Sequence, residues 1–150
     1  MTETENADGT PTPDGAAHGV RAAPHGSGSP ESRPVDPFDA ACPSRRLLDR
    51  IGDRWTVLLV VTLGEGPHRF SELRRTVGGI SQKMLTQTLR ALERDGLVSR
   101  TVHAEVPPRV VYELTEAGHS LRGPLETLQQ WAVEHYGQVS AAHDRYDATA

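Results

Sequence analysis

Gly78-Gly79-Ile80-Ser81-Gln82-Lys83-Met84-Leu85-Thr86-Gln87-Thr88-Leu89-Arg90-Ala91-Leu92-Glu93-Arg94-Asp95-Gly96 is the stretch whose reading decides the fold. Leu85, Leu89 and Leu92 recur at i, i+4 and i+7, the spacing that lines one face of an α-helix. Ser81 suits the N-cap, because its hydroxyl can take up a free amide of the first turn. Gly96, just after the last apolar position, serves as the C-terminal cap residue. The spacing therefore predicts a helix from Ser81 to about Asp95. Just before it, Phe70, Leu73 and Val77 stand at i, i+3 and i+7, which predicts a second helix starting near Phe70. The two are joined by Gly78-Gly79-Ile80, a three-residue turn in which Ile80 can plug the angle between them. That is a helix-turn-helix.

Working outward from this pair, Asp53 caps a helix in which Trp55, Val57, Leu58, Leu59, Val60, Val61 and Leu63 leave almost no polar side, as a central buried helix requires. Pro43 begins an earlier amphipathic helix with Leu47, Leu48 and Ile51, ended by Gly52. On the other side, Leu97–Val102 and Val110–Leu114 read as two strands, with Val106-Pro107-Pro108-Arg109 at the tip of their hairpin. Thr115 caps a long amphipathic helix carrying Leu121, Leu125, Leu128, Ala132 and His135, with Gly123-Pro124 a potential kink. The fold class that follows is α+β: a winged helix-turn-helix with additional N- and C-terminal helices. The domain reading is a disordered acidic Pro/Gly-rich tail over 1–36, the folded unit over 37–138 and a flexible C-terminus over 139–150.

The chain has 150 residues and a formal charge of −4, enough for one apolar core. The charge is unevenly spread. Residues 1–36 hold six acids and two bases, 45–109 seven acids and twelve bases, and 110–150 six acids and two bases. The basic middle is where a phosphate backbone would be met. One cysteine, Cys42, rules out an internal disulfide and a thiolate zinc site. With no long apolar run and no leader-like start, a soluble, cytoplasmic protein with no membrane partner is expected. The seven histidines are scattered, with no HExxH-like pair, no phosphate-cradling glycine pattern and no serine elbow. No cofactor, no metal and no enzyme activity are expected, and the sequence names no small-molecule effector.

Removing the core face from the helix after Ser81 leaves Gln82, Lys83, Thr86, Gln87 and Arg90 pointing outward, with Ser81 at the exposed start. Gln can pair with adenine, Lys and Arg can reach guanine or phosphate, and first-turn amides favour an anionic oxygen. A solvated polar face is the bland alternative, but such faces normally include acids, and none occurs between Ser81 and Leu92. Arg69, Arg74, Arg75 and Arg100 surround the helix pair as phosphate contacts, and Arg109 offers a cation on the hairpin tip. Cys42 lies before a helix start with Arg45 and Arg46 close behind, a setting that favours thiolate. It is a redox or electrophile-sensing candidate, or else a small packed residue. The excess apolar surface of the last helix, joined by Arg45–Ile51, points to a homodimer and hence to an inverted-repeat operator in double-stranded DNA.

Cys42-Pro43, Ile51-Gly52-Asp53-Arg54-Trp55, Arg69-Phe70-Ser71-Glu72-Leu73-Arg74, Gly79 to Thr86, Asp95-Gly96-Leu97-Val98, Pro107-Pro108-Arg109-Val110 and Tyr112-Glu113-Leu114-Thr115, taken in order, resemble the HxlR-type regulators across Phe38 to Tyr136. The resemblance implies a DNA-binding winged helix, a dimer built from the N- and C-terminal helices, and recognition through Ser81–Arg90. It also implies that a cysteine in the place of Cys42 serves some members as a thiol sensor. The tail before Phe38 departs from the usual short family N-terminus. A winged helix used only for protein contacts is the competing class, since fold alone does not fix function.

Overall fold

A computed structural model of the chain describes residues 35–150. The expected tail therefore lies outside the described residues, except for Val35 and Asp36. The elements run α1 (Ser44–Ile51), α2 (Arg54–Leu63), β1 (His68–Arg69), α3 (Phe70–Thr76), α4 (Gln82–Arg94), β2 (Val98–His103), β3 (Arg109–Leu114) and α5 (Glu116–Thr149). This is the winged helix-turn-helix order anticipated from the sequence.

Short polar side chains set the helix starts. Asp53 Oδ1 accepts from the Trp55 and Thr56 amides at 2.9 and 3.2 Å, and Ser81 Oγ accepts from the Met84 amide at 3.0 Å. Each bond satisfies a donor that the first turn leaves free. Thr115 has two partners: its hydroxyl accepts from Gly118 N and donates to Gly96 O at 2.6 Å, so the exit from α4 is tied to the start of α5. At that exit the cap is Asp95, and Gly96 is the next residue, with φ +72°. Leu97 N donates to Leu92 O and Gly96 N to Glu93 O, the paired bonds of a Schellman turn, which needs the left-handed residue that Gly supplies. Leu97 is consumed by this turn, so β2 starts at Val98, one residue later than expected.

The sheet is antiparallel in the order β1-β3-β2. Val98 faces Leu114 and His103 faces Arg109 across β2 and β3, while β1 adds His68 opposite Tyr112. Leu59, Val60 and Leu63 of α2, Leu73 and Val77 around α3, and Leu85, Leu89 and Leu92 of α4 form the core with Val98, Leu114 and Leu125. Ile80, 5% exposed, closes the angle of the turn as its position predicts.

The last helix is longer than expected. It runs unbroken through Pro124 to Thr149, so residues 139–149 of the expected flexible end, 139–150, are helical. After Gly137 no Gly or Pro interrupts it, and Ala141, Ala142, Arg145 and Ala148 are strong helix formers. Its first half docks closely. A Cβ on Gly118 would overlap the Leu97 carbonyl, Leu125 is buried, and Arg122 donates to Gly64 O while pairing with Glu126. Its second half leaves Trp131, Val133, Tyr136 and Val139 exposed, and α1 buries no residue at all. No helix among the described residues is long and apolar enough to cross a membrane.

Candidate nucleic-acid interface

Helix α4 is held by its leucine face, so its opposite face is fixed in orientation. Ser81, Gln82, Lys83, Gln87 and Arg90 are exposed and Thr86 is half-buried. The Ser81 side chain is engaged as the N-cap, and Leu85 N is taken by Ser81 O. The amides of Gln82 and Lys83 remain as the open donors of the helix start, where the macrodipole is positive. The Thr86 hydroxyl donates to Gln82 O at 2.9 Å, so the proton is committed inside the helix.

Arg74 and Arg75 at the end of α3 meet Gln82 across a groove of about 490 Å³, also lined by Phe70 and Ser71. Ser71 was not singled out from the sequence, since a serine one residue inside a helix gives no distinguishing signal. On the other flank, Thr86, Arg90, Glu93, Arg100 and Tyr112 line a recess between α4 and the sheet. Among the described residues, the ion pairs are Arg50–Asp95, Arg109–Glu105 and Arg122–Glu126. None of these takes up Arg69, Arg74, Arg75, Lys83, Arg90 or Arg100. Glu93 lines the recess beside Arg90 and Arg100, and Glu72 shares a groove with Arg69. Glu72 accepts from the Arg69 amide at 2.7 Å, and that bond, then His68, Arg69 and Arg75, hold its carboxyl below the usual carboxylate range.

Arg109 is placed differently from its expected position at the hairpin tip. The β2–β3 ladder extends to His103–Arg109, which draws Arg109 into the first position of β3, and its Nη2 lies 3.2 Å from Glu105 Oε1. Arg109 shares with Arg69, His68, Glu72 and Thr101 the groove on the outer sheet face. The tip itself is Val106, fully exposed before a cis peptide bond to Pro107.

Cys42 is half-buried just ahead of α1. Its Sγ lies 3.0 Å from Ser44 Oγ. The thiol is held below its ordinary value, first by the Ser44 hydroxyl and then by the Ser44 backbone, against some desolvation and the nearby Asp39. The direction agrees with the sequence reading and the cause does not, since Arg45 and Arg46 are not among the groups responsible. Among the described residues, no three His, Cys, Asp or Glu side chains gather as a metal site.

Several further features bear on assembly. Arg50 Nε bonds Asp95 Oδ2 at 3.2 Å, linking α1 to the end of α4. An apolar groove of about 670 Å³ between α2 and α5 is lined by Val57, Leu58, Leu128, Ala132, Val133 and Tyr136.

Comparison with known proteins follows the same outline. The model of the HxlR-like helix-turn-helix family matches residues 50–140. The HTH-type transcriptional regulator YtfH of Escherichia coli (strain K12) is 45% identical over 107 residues, which cover 71% of this chain and 85% of that protein. Among solved structures, one described as a transcriptional regulator, ytfH from Salmonella typhimurium, superposes with a TM-score of 0.69 at 42% identity, over 74% of this chain and 99% of that one. The redox regulator HypR in its oxidized form superposes with a TM-score of 0.58 at 42% identity, over 62% and 96% of the two chains.

Proposed function

The chain belongs to the HxlR-like helix-turn-helix family, and on that premise we propose that it is a transcription regulator binding an inverted-repeat operator in duplex DNA as a homodimer. One observation carries the reading. From Ser81 to Leu92 the chain carries no acid, and the cations around that stretch form no ion pair among the described residues; a site with that charge and shape attracts phosphate while exposing amides and guanidinium groups to base edges. Gln82, Lys83, Gln87 and Arg90 enter the major groove, and Thr86 lines the same face. The open amides after Ser81, with Arg69, Arg74 and Arg75, hold phosphates. Arg109 joins them only by exchanging Glu105 for a phosphate, so its share is the smallest.

The dimer reading is supported by α1 and the outer half of α5, whose apolar side chains a single chain leaves in water. Pairing these helices about a two-fold axis would present two copies of α4 about 34 Å apart, one turn of DNA. A fluorescence titration of the purified protein against a duplex enriched from a random pool, and against its scrambled version, tests the reading. Preferential, salt-sensitive binding of the enriched duplex by a dimer supports it, and equal binding of both duplexes contradicts it.

A thiol response is the finer part of the proposal, motivated by the depressed Cys42 thiol and its place at α1. Thiolate is the reactive form. Two Cys42 thiols of a dimer would lose two protons and two electrons to an oxidant such as diamide, or one would join a small thiol as a mixed disulfide. The Arg50–Asp95 bond couples α1 to α4, so such a product would be felt at the recognition helix. Diamide or a quinone should lower operator affinity in the wild type and not in Cys42→Ser. Equal responses would reduce Cys42 to packing.

A further inference from the structure

Met84 stands out on α4 as the large apolar side chain that is 39% exposed in the first turn, on a face otherwise made of amides and cations. Thr86 is the second departure. With its hydroxyl proton given to Gln82 O, it has no donor left for a base edge; its oxygen can only accept, and its methyl group is the apolar feature it can present outward.

At 100° per residue, Met84 and Thr86 fall on opposite edges of the exposed face, with Lys83, Gln87 and Arg90 between them. A helix with side chains is about 10–12 Å across and the B-DNA major groove about 12 Å wide, so a helix seated there meets both walls at once. The wall feature that suits an apolar group is the thymine 5-methyl. A methionine thioether is also flexible and polarisable enough to follow such a surface.

We propose that Met84 and Thr86 read thymine methyl groups on opposite walls of the major groove. The polar strip between them reads hydrogen-bonding edges, so each half-site has thymines at the flanks of the bases contacted by Lys83, Gln87 and Arg90. The inference rests on the proposed role of α4 and adds to it a chemical class of contact.

Uracil differs from thymine by the 5-methyl alone and pairs identically, so it isolates the claim. The test uses the full-length protein and a duplex enriched from a random pool, with each thymine replaced in turn by deoxyuridine. One methyl returned to water corresponds to a loss of about threefold to fourfold in affinity. Wild type should show that loss at two thymines or more per half-site. Met84→Ala should lose the sensitivity at one of them and Thr86→Ser at another, as the coupling of contacting groups requires. Thr86→Val, which keeps a methyl and discards the hydroxyl, should keep the wild-type sensitivity. Both positions lie outside the core, and unchanged circular dichroism will confirm that the variants are folded.

Specific binding that is indifferent to every uracil substitution overturns the inference while leaving the role of α4 intact. So does a half-site with no thymine at its flanks, or a Thr86→Ser protein with full sensitivity. Failure to enrich any duplex over a scrambled one overturns both.

Discussion

Replacing Arg74 and Arg75 together by alanine attacks the electrostatic part of the proposed interface without touching its fold. Both side chains are exposed and neither is in an ion pair among the described residues, so the melting temperature should reflect a change within about 0.5 kcal/mol. The six interface cations that form no ion pair among the described residues, Arg69, Arg74, Arg75, Lys83, Arg90 and Arg100, give up to twelve phosphate contacts for a dimer. At about 0.9 per neutralised phosphate, log affinity against log salt should fall with a slope no steeper than about −11. The double substitution removes four of the twelve cations and should flatten that slope by up to about 3.6. Between 50 and 200 mM salt, this difference is roughly a hundredfold in how much affinity is lost. The assay is fluorescence anisotropy on the enriched duplex at four or five salt concentrations. An unchanged slope with a weaker affinity throughout would refute the assignment of these arginines to phosphates.

Gly118→Ala should destabilise the protein by several kcal/mol in urea unfolding, because its Cβ has no room beside the Leu97 carbonyl; a loss below 1 kcal/mol would contradict the docking of α5. Asp53→Ala removes the cap that holds two amides of α2 and should cost about 1 kcal/mol in the same assay. The rate of Cys42 alkylation against pH should show a midpoint below that of a free thiol, and Ser44→Ala should move it upward, since the Ser44 hydroxyl is the first cause of the depression. The sign follows from the loss of a donor that favours thiolate; a downward movement would exclude it. Deleting residues 1–36, which hold six acids and two bases, should leave the melting temperature nearly unchanged and tighten DNA binding at low salt only; weaker binding would show that the tail assists.

The helix pair was readable because its signals are local. Ser81, the leucine spacing and Gly96 act within one turn of where they stand, and Ile80 has a single place to go. Residues whose role depends on a distant partner were misplaced. Leu97 belongs to a turn that closes onto Leu92 and Glu93, which strand propensity does not register. Arg109 was drawn off the hairpin tip by cross-strand pairing with His103 and by Glu105. The extent of α5 was missed because Gly137 and the weakly apolar residues after it look like an end, while the absence of any later breaker lets the helix continue. At the interface, position on the wheel places Thr86 on the outward face but does not show that its hydroxyl bonds back to the preceding turn, as Thr side chains in helices can. Met84 carries no hydrogen-bonding group by which the sequence would mark it. Composition distinguishes polar faces from core faces and gives no weight to an apolar group meant to touch a methyl.

The central claim is that α4 of each subunit occupies the major groove of duplex DNA. Methylation protection of guanine N7, which lies in that groove, tests it most directly on the enriched duplex. The account predicts two protected patches centred 10–10.5 base pairs apart, both lost in Gln82→Ala/Lys83→Ala while circular dichroism is unchanged. Tight binding without N7 protection, or protection that the double variant retains in full, would contradict it.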